Sequence, residues 1–232
     1  MDIRILQLLE GAARAEGLTV VIDVLRAFSL ECYLAHRGAA EIRPVATLAE
    51  AFAWRERDPA ALLIGERGGA RCEGFDFGNS PSGIPAEAVR GKRLIHTTSA
   101  GTQGVTRAVH ADEIISGSLV NAAAVAAYIR QRDPETVSLV CMGNAGVREA
   151  PEDLLCARYI RSLLLEEPIP DLNARIRALQ FHGGDHFFNP ATQQIYPEAD
   201  FWLCVKRDVF PFVLRVRQDP LGMYVETVDC EA

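Results

Sequence analysis

The sequence predicts an α/β protein in which helices lie on both faces of a largely parallel or mixed sheet. Short runs rich in Val, Ile and Leu recur along the chain, and amphipathic or alanine-rich segments separate most of them. This alternation is typical of strands that are joined by crossover helices. In such a sheet, ligands bind beyond the carboxyl ends of the strands. Functional residues are therefore expected in the loops that follow the strands.

The strands and helices are predicted from the length and composition of each run. Strands are predicted over residues 18–24, 41–45, 61–65, 93–98, 113–116, 137–142, 212–217 and 224–228. Helices are predicted over residues 26–37, 48–57, 121–131, 152–166 and 172–181. Two long loops are predicted over residues 67–88, which are rich in glycine, and over residues 182–197.

Composition and charge limit the classes of partner. The chain has 232 residues, with 24 Lys and Arg against 31 Asp and Glu, and no basic run of the nucleic-acid-binding type. No stretch approaches the ~20 apolar residues of a membrane helix. No export signal is recognised, and the six cysteines contain no Cys-x-x-Cys pair, which favours reduced thiols in the cytoplasm. We expect one cytoplasmic unit over residues 1–232 without nucleic-acid or membrane partners.

Two strand ends carry an acid followed by an arginine. Asp23 lies at the end of the strand at 18–24 and is followed three residues later by Arg26, and the strand at 61–65 leads into Glu66 and Arg67. The acids are candidate metal ligands or catalytic groups, and the guanidinium groups are candidates for binding phosphate, carboxylate or sulfonate. The alternatives are a helix cap that pairs with Arg26 and a surface ion pair at Glu66.

Three further loops offer polar groups at strand ends. Asp76 and Asn79 could bind a cation or a substrate, or could be ordinary turn residues. The sequence TTSAGT at residues 97–102 opens a helix and offers hydroxyl and backbone N–H groups for an anion, or caps that helix. Ser118 and Asn121 repeat this pattern, and for them helix capping is slightly favoured over ligand binding.

The pair Glu152 and Asp153 opens the helix at 152–166, next to the loop that follows the strand at 137–142. Carboxylates in a first turn complement the helix dipole, but they could equally supply oxygen ligands for Mg²⁺. The sequence HGGDH at 182–186 is assigned structural or surface roles, because two glycines interrupt any helical spacing of its histidines. His96 is predicted to pack in the core, and a cysteine nucleophile is a further alternative.

Six motifs in order resemble the 2-phosphosulfolactate phosphatase family, the magnesium-dependent phosphatases associated with coenzyme M biosynthesis. They are VIDVLRA at 21–27, LLIGERGG at 62–69, GFDFGNSP at 74–81, TTSAGT at 97–102, Gly117-Ser118 with Asn121, and EDLLCA at 152–157. The segment CVKRD at 204–208 resembles a further family block. The chain departs from the family pattern at Ala100, where the family usually has Asn, and over residues 143–150.

The resemblance implies a three-layer α/β/α fold, which could be built of two intertwined similar halves with a duplication boundary near residues 120–135. It implies hydrolysis of 2-phosphosulfolactate or of a similar phosphorylated hydroxy acid, with Mg²⁺ as cofactor. The alternative is a non-catalytic binding protein or sensor for such a metabolite. A homodimer is also expected.

The resemblance also implies roles for the candidate site residues. The expected metal ligands are Asp23, Glu66, Asp76 and Asp153. The expected catalytic residues are Asp23, Arg26, Glu66 and Arg67. The expected substrate-binding residues are Asn79, Thr98, Ser99, Gly101, Thr102, Ser118 and Asn121. Asp23 is the candidate base, and a covalent aspartyl-phosphate is the alternative.

Overall fold

The computed structural model describes residues 1–230 and confirms the α/β fold. Within these residues, ten strands form one mixed sheet. The strands are β1 (Asp2–Gln7), β2 (Gly17–Ile22), β3 (Glu41–Pro44), β4 (Leu62–Arg67), β5 (Ala70–Arg71), β6 (Arg93–Thr97), β7 (Ala111–Gly117), β8 (Thr136–Cys141), β9 (Phe212–Asp219) and β10 (Gly222–Asp229). The helices are α1 (Leu8–Ala13), α2 (Ala27–His36), α3 (Leu48–Arg57), α4 (Ala86–Val89), α5 (Gly101–Arg107), α6 (Ala122–Arg132), α7 (Pro151–Leu165), α8 (Leu172–Ala178) and α9 (Glu198–Cys204).

The sheet consists of two parallel blocks that are joined by an antiparallel hairpin. Its strand order is β1-β8-β2-β7-β9-β10-β3-β6-β4-β5. Strands β1, β8, β2 and β7 are parallel to one another, as are β3, β6 and β4. The hairpin of β9 and β10 lies between the blocks and pairs antiparallel with β7 on one side and β3 on the other.

Alternate side chains of β2 enter separate apolar clusters, because successive residues of a strand point to opposite faces. Val20 and Ile22 pack in a cluster with Ile160 of α7. Val21 packs in another cluster with Phe28 of α2 and with α5. Helices therefore cover both faces, which gives the three layers α/β/α.

The structure contains elements that the sequence did not predict. Strand β1 was missed because it is an edge strand in which Asp2 and Arg4 are exposed, so it lacks a continuous apolar run. Helices α1 and α9 were also missed. The predicted loop at 67–88 contains β5 and the start of α4, and short 3₁₀ helices lie within the predicted loop at 182–197. None of the helices in residues 1–230 is long and apolar enough to cross a membrane.

Arg43 forms a side-chain connection between the hairpin and the second block. The register of β10 with β3 is the single pair Val225 and Ile42 within the described residues. Arg43 is 2% exposed. It donates to both carboxylate oxygens of Asp219 at 3.0 and 2.6 Å and stacks 4.9 Å from the ring centre of Trp54. A bidentate ion pair thus supplements a short backbone contact.

We expect Arg43→Ala to lower the free energy of unfolding by about 2–4 kcal/mol, because it removes charged hydrogen bonds and a buried stack. Urea denaturation measures this loss. Arg4→Ala, which removes exposed ion pairs with Asp2 and Glu16, is the matched control and should have a much smaller effect. Equal losses in the two variants would contradict this role of Arg43.

The same pair predicts an acid-sensitive contribution. The hydrogen bonds from Arg43 lower the pKa of Asp219 to about 2. A lowered folded-state pKa stabilises the fold above the unfolded value of about 4, and this stabilisation is lost as the pH falls through about 2. Asp219→Asn should therefore lose less stability than the unmodified protein between these pH values. Urea denaturation at each pH tests this expectation.

Candidate active site

A polar cleft of about 690 Å³ lies where the carboxyl ends of strands from both blocks meet. Asp23 follows β2, Glu66 is the penultimate residue of β4, Ser99 follows β6, and residues 143–150 follow β8. Six steps in the strand order separate β2 from β4, with three antiparallel pairings between them. Each strand is rotated by about 20–25° from its neighbour, so six steps rotate the strand direction by about 120–150°. Although β2 and β4 run in opposite directions along the sheet, this rotation brings their carboxyl ends to the same side of the molecule.

Asp23 is buried in this cleft at the start of α2. Its side chain is 6% exposed, and its Oδ1 accepts a hydrogen bond of 3.1 Å from the backbone N–H of Ala27. Burial, and then the neighbouring Asp153 carboxylate, raise the pKa of Asp23 to about 8. Gly101 permits the close approach of α5, since a Cβ there would lie 2.9 Å from Asp23 Oδ2.

Asp153 and Glu152 reach the same region from the first turn of α7. Asp153 accepts backbone hydrogen bonds from Val24 at 2.8 Å and Gly143 at 2.7 Å, one on each carboxylate oxygen. Burial, and then Glu152, raise the pKa of Asp153 to about 8. Glu152 is 6% exposed, and its Oε2 has no hydrogen-bond partner. Burial, and then Asp23, raise the pKa of Glu152 to about 7.

Glu66 lines the cleft, but backbone and hydroxyl donors from two loops surround its carboxylate. It accepts hydrogen bonds from the N–H of Gly69 at 2.7 Å, the N–H of Ser99 at 2.7 Å and the hydroxyl of Ser99 at 3.2 Å. Glu66 therefore fixes the loop after β4 against the loop after β6. Ser99 lines the cleft as well, and both of its donors point to Glu66.

Arg26 lines the cleft, but its guanidinium is held by the protein. It pairs with the buried carboxylate of Asp200 at 2.8 Å and donates to the carbonyl oxygen of Ile195 at 2.9 Å and of Gly69 at 3.1 Å. It also lies 5.1 Å from the ring centre of Tyr196. Asp200 in turn accepts hydrogen bonds from Ser80 and Ser82. Arg26 thus connects α9 and two loops at the rim of the cleft.

Two of the predicted catalytic and metal-binding residues, Arg67 and Asp76, lie outside the cleft lining. Arg67 donates to the backbone carbonyl of Glu66 at 2.7 Å and to the hydroxyl of Thr97 at 2.9 Å. Asp76 accepts a hydrogen bond from the N–H of Leu63 at 2.8 Å and pairs with Arg55. The structure therefore does not bring Arg67 or Asp76 together with Asp23, because local backbone and side-chain partners hold them elsewhere.

Of the predicted hydroxyl and amide side chains, some line the cleft and others are bonded within the protein away from it. Thr98 and Thr102 bond to each other's backbone N–H groups at 2.8 and 3.2 Å and are buried. Ser118 and Asn121 form a capping box on a 3₁₀ helix and are fully buried, which agrees with the slight preference for capping. Asn79, by contrast, lines the cleft.

The structure adds cleft residues that the sequence analysis did not select. Arg148 lies in the irregular loop after β8, where Asn144 and Arg148 form an isolated antiparallel bridge. Its side chain is exposed and lines the cleft, and within residues 1–230 no ion pair holds it. His186, which was assigned a structural or surface role, lines the cleft beside Tyr196. The sequence offered no signal for Arg148 beyond the irregularity of its loop.

The carboxylates allow a test of whether Mg²⁺ fits. In the described part of the chain, no three Asp, Glu, His or Cys side chains lie close enough together to hold a metal ion alone. Mg²⁺, however, commonly takes one or two carboxylates and completes its shell with water and substrate phosphate. Asp23 and the unpartnered Glu152 oxygen match that requirement, whereas both oxygens of Asp153 already accept backbone hydrogen bonds.

The cysteines do not contribute to the cleft. All six are buried free thiols, and none is among the residues that line this cleft. Burial raises the pKa of the Cys204 thiol, which opposes formation of a nucleophilic thiolate. A cysteine-dependent hydrolase is therefore not supported at this site.

The fold and the cleft define a three-layer α/β protein with a buried carboxylate cluster at the strand ends, suited to a cation and a small anion. A model of the family described as 2-phosphosulpholactate phosphatase matches residues 4–219. The chain belongs to this family, as the six motifs predict.

Curated relatives agree with this assignment. A protein of Caldicellulosiruptor saccharolyticus named "Probable 2-phosphosulfolactate phosphatase" is 33% identical over 87% of this chain and 90% of its own length. Proteins of the same name from Deinococcus radiodurans and Carboxydothermus hydrogenoformans are 41% and 38% identical. These matches cover 64% and 72% of this chain and 62% and 69% of the relatives.

The carboxylate cluster predicts that the metal-free protein loses stability as the pH rises. The folded-state pKa values of Asp23 and Asp153 are raised to about 8, so the folded protein holds more protons than the unfolded chain above about pH 4. Asp23→Asn should therefore be more stable than the unmodified protein at pH 8 by about 1–3 kcal/mol. Thermal unfolding in EDTA between pH 5 and 8.5 measures the difference.

The control is Asp112→Asn, which changes an exposed carboxylate of β7. It should follow the unmodified protein at every pH. If Asp23→Asn also follows the unmodified protein across this range, the carboxylate cluster does not oppose folding.

Proposed function

We propose that this protein is a phosphoric monoester hydrolase that acts on 2-phosphosulfolactate or a similar small phosphorylated hydroxy acid. The observation that carries the proposal is the cluster of Asp23, Glu152 and Asp153, buried together at the strand ends of a cleft of about 690 Å³. Family membership and the names of the relatives support the same reaction class.

We propose Mg²⁺ as the cofactor, with Asp23 and Glu152 as its protein ligands. When bound, the ion would neutralise charge on the phosphoryl group and offset the mutual repulsion of the carboxylates. Asp153 orients the site, because its hydrogen bonds join α7 to the residues that follow β2 and β8. Asp76 is left out of the ligand set, since it pairs with Arg55 away from the cleft lining.

The protein groups around Asp23 suit hydrolysis of a phosphate monoester. Asp23 lies at the start of α2, where backbone N–H groups and the helix dipole favour negative charge. Its carboxylate is the candidate base that accepts the proton of an attacking water. A covalent aspartyl-phosphate on the same carboxylate is the alternative, and chemical trapping of that ester distinguishes the two.

Arg148 is our candidate for the second anionic group of the substrate. Arg26 and Arg67 are occupied by partners within the protein, whereas the Arg148 guanidinium is exposed at the cleft. Arg148 also lies near enough to Glu152 to lower the pKa of that carboxyl against the effect of burial. A sulfonate or carboxylate beside the phosphate ester could pair with this cation.

Activity tests the proposal directly. With Mg²⁺ present, we expect phosphate release from 2-phosphosulfolactate and none after EDTA treatment. Asp23→Asn should lower kcat by about 10²–10⁴-fold, because it removes the candidate base. Glu152→Gln should raise the Mg²⁺ concentration needed for half-maximal rate by about 10-fold or more, because it removes a ligand.

Asp76→Asn is the matched control for this experiment and should keep its activity if correctly folded. Phosphate release that persists in EDTA or in Asp23→Asn would contradict the proposal. Thermal stabilisation by the substrate without any phosphate release would favour the binding protein or sensor. Cytoplasmic residence and a homodimer remain predictions from the sequence.

A second variant tests the substrate class. Arg148→Gln should raise KM by about 10-fold or more for a phosphate ester that carries a sulfonate or carboxylate, because a charged hydrogen bond is lost. For phenyl phosphate, which lacks that second anion, KM should stay unchanged. Arg107→Gln, at the exposed end of α5, is the control. A loss of equal size on both substrates would place Arg148 at the phosphoryl group instead.

A further inference from the structure

A chain of three polar side chains crosses the core from α2 to the cleft. His96 Nδ1 lies 2.7 Å from Glu31 Oε1, and His96 Nε2 lies 3.2 Å from Asn79 Oδ1. Glu31 is 1% exposed, His96 is fully buried, and Asn79 is 5% exposed and lines the cleft. The chain therefore connects an interior carboxylate to the surface on which a ligand would bind.

Stability by itself does not explain why Glu31 and His96 are buried in the core. Glu31 lies in a stretch of α2 that is buried from Ala27 to Leu34, and His96 lies in β6 next to the core residue Ile95. Burying an ionisable pair is often no better for stability than apolar side chains of similar volume. A role in positioning the Asn79 side chain, at the cleft end of the connection, would explain why these polar residues are buried here.

The atoms that face the imidazole limit the proton arrangements that can satisfy both of its contacts. Both atoms that face the imidazole of His96 are oxygens, Oε1 of Glu31 and Oδ1 of Asn79. An imidazolium donates from both ring nitrogens, so it satisfies both contacts, and the Glu31 carboxylate balances its charge. With Oδ1 of Asn79 facing His96, the amide N–H groups are the part of this side chain left to face the cleft.

We propose that Glu31 and His96 are positioning residues that hold the Asn79 amide with its N–H groups toward the cleft, as donors to an anionic oxygen of the ligand. This inference rests on the proposed function only in taking the ligand to be an anion.

Removal of the negative charge at Glu31 should reverse the orientation of the Asn79 side-chain amide. A neutral imidazole that keeps a proton on Nδ1 has an acceptor at Nε2, which requires a donor from Asn79. The amide then rotates so that its N–H group faces His96 and its carbonyl oxygen faces the cleft. An anion would meet a carbonyl oxygen instead of a donor, so its affinity should fall.

Inorganic phosphate, titrated calorimetrically in the presence of Mg²⁺, is the probe. We expect Glu31→Gln and Asn79→Ala each to weaken phosphate binding by about tenfold or more, as for loss of a hydrogen bond to a charged group. The double variant should bind no more weakly than Asn79→Ala alone, because both changes remove the same donor. Unchanged binding in a folded Glu31→Gln variant, or additive losses, would overturn the inference.

Ser138→Ala is the control for loss of a buried hydrogen bond, since Ser138 is fully buried in β8 and bonds to the backbone of Glu16. It should leave phosphate affinity unchanged. A loss as large as that of Glu31→Gln would mean that general destabilisation causes both effects, and would overturn the inference.

Nitrogen-15 NMR of the unmodified protein tests the proton arrangement even if a variant fails to fold. The His96 ring, assigned by triple-resonance experiments on the unmodified protein, should show two protonated nitrogens. An unprotonated Nε2 would contradict the proposal. If Glu31→Gln weakens phosphate binding but the unmodified protein has no phosphatase activity, this inference stands and the proposed function is rejected. If the unmodified protein is an active phosphatase but Glu31→Gln does not change phosphate binding, the proposed function stands and this inference is rejected.

Discussion

The burial of carboxylates at one end of the sheet is the constraint on which the site depends. Asp23, Glu152 and Asp153 come from two segments that are distant in sequence, and each is at most 6% exposed. Their raised pKa values express how strongly this environment disfavours negative charge. The fold tolerates the cluster because backbone N–H groups stabilise Asp23 and Asp153, whereas one Glu152 oxygen lacks a partner. The unsatisfied electrostatics are thus concentrated where a cation would relieve them.

The arginines near the cleft show that charge alone does not identify a ligand-binding group. Arg26 is part of a network with Asp200 and two serines that connects the Gly-rich loop to α9. Removing it would leave Asp200 buried without its cation, so a loss of activity there would mix folding with binding. Arg148 has no such role within the described residues, and its charge remains available at the cleft. An arginine is therefore a better candidate for ligand binding when its guanidinium has no ion-pair partner within the protein.

The sequence predicted the parts of this site that follow from local rules. Asp23 and Glu66 were found because a polar residue directly after a buried strand must lie at the edge of the sheet. The functions of Arg26 and Glu31 depend on partners 174 and 65 residues away, and such contacts leave no periodic signal in one sequence. His96 was correctly placed in the core, but its link to Asn79 required the three-dimensional arrangement. Edge strand β1 was missed because it is half exposed.

The net charge of −7 is compatible with an anionic ligand because the local charges at the cleft can be compensated separately. The acids of the cleft occupy its strand-end side, where a divalent ion would reverse the sign of the potential. Arg148 lies in the loop after β8 and Asn79 in the glycine-rich loop, and both line the cleft, where they could contact an anion. Because long-range attraction by an acidic protein is weak or repulsive, affinity must come from these short-range contacts. A ligand with two anionic groups, as proposed, would need a separate compensating partner for each group within the cleft.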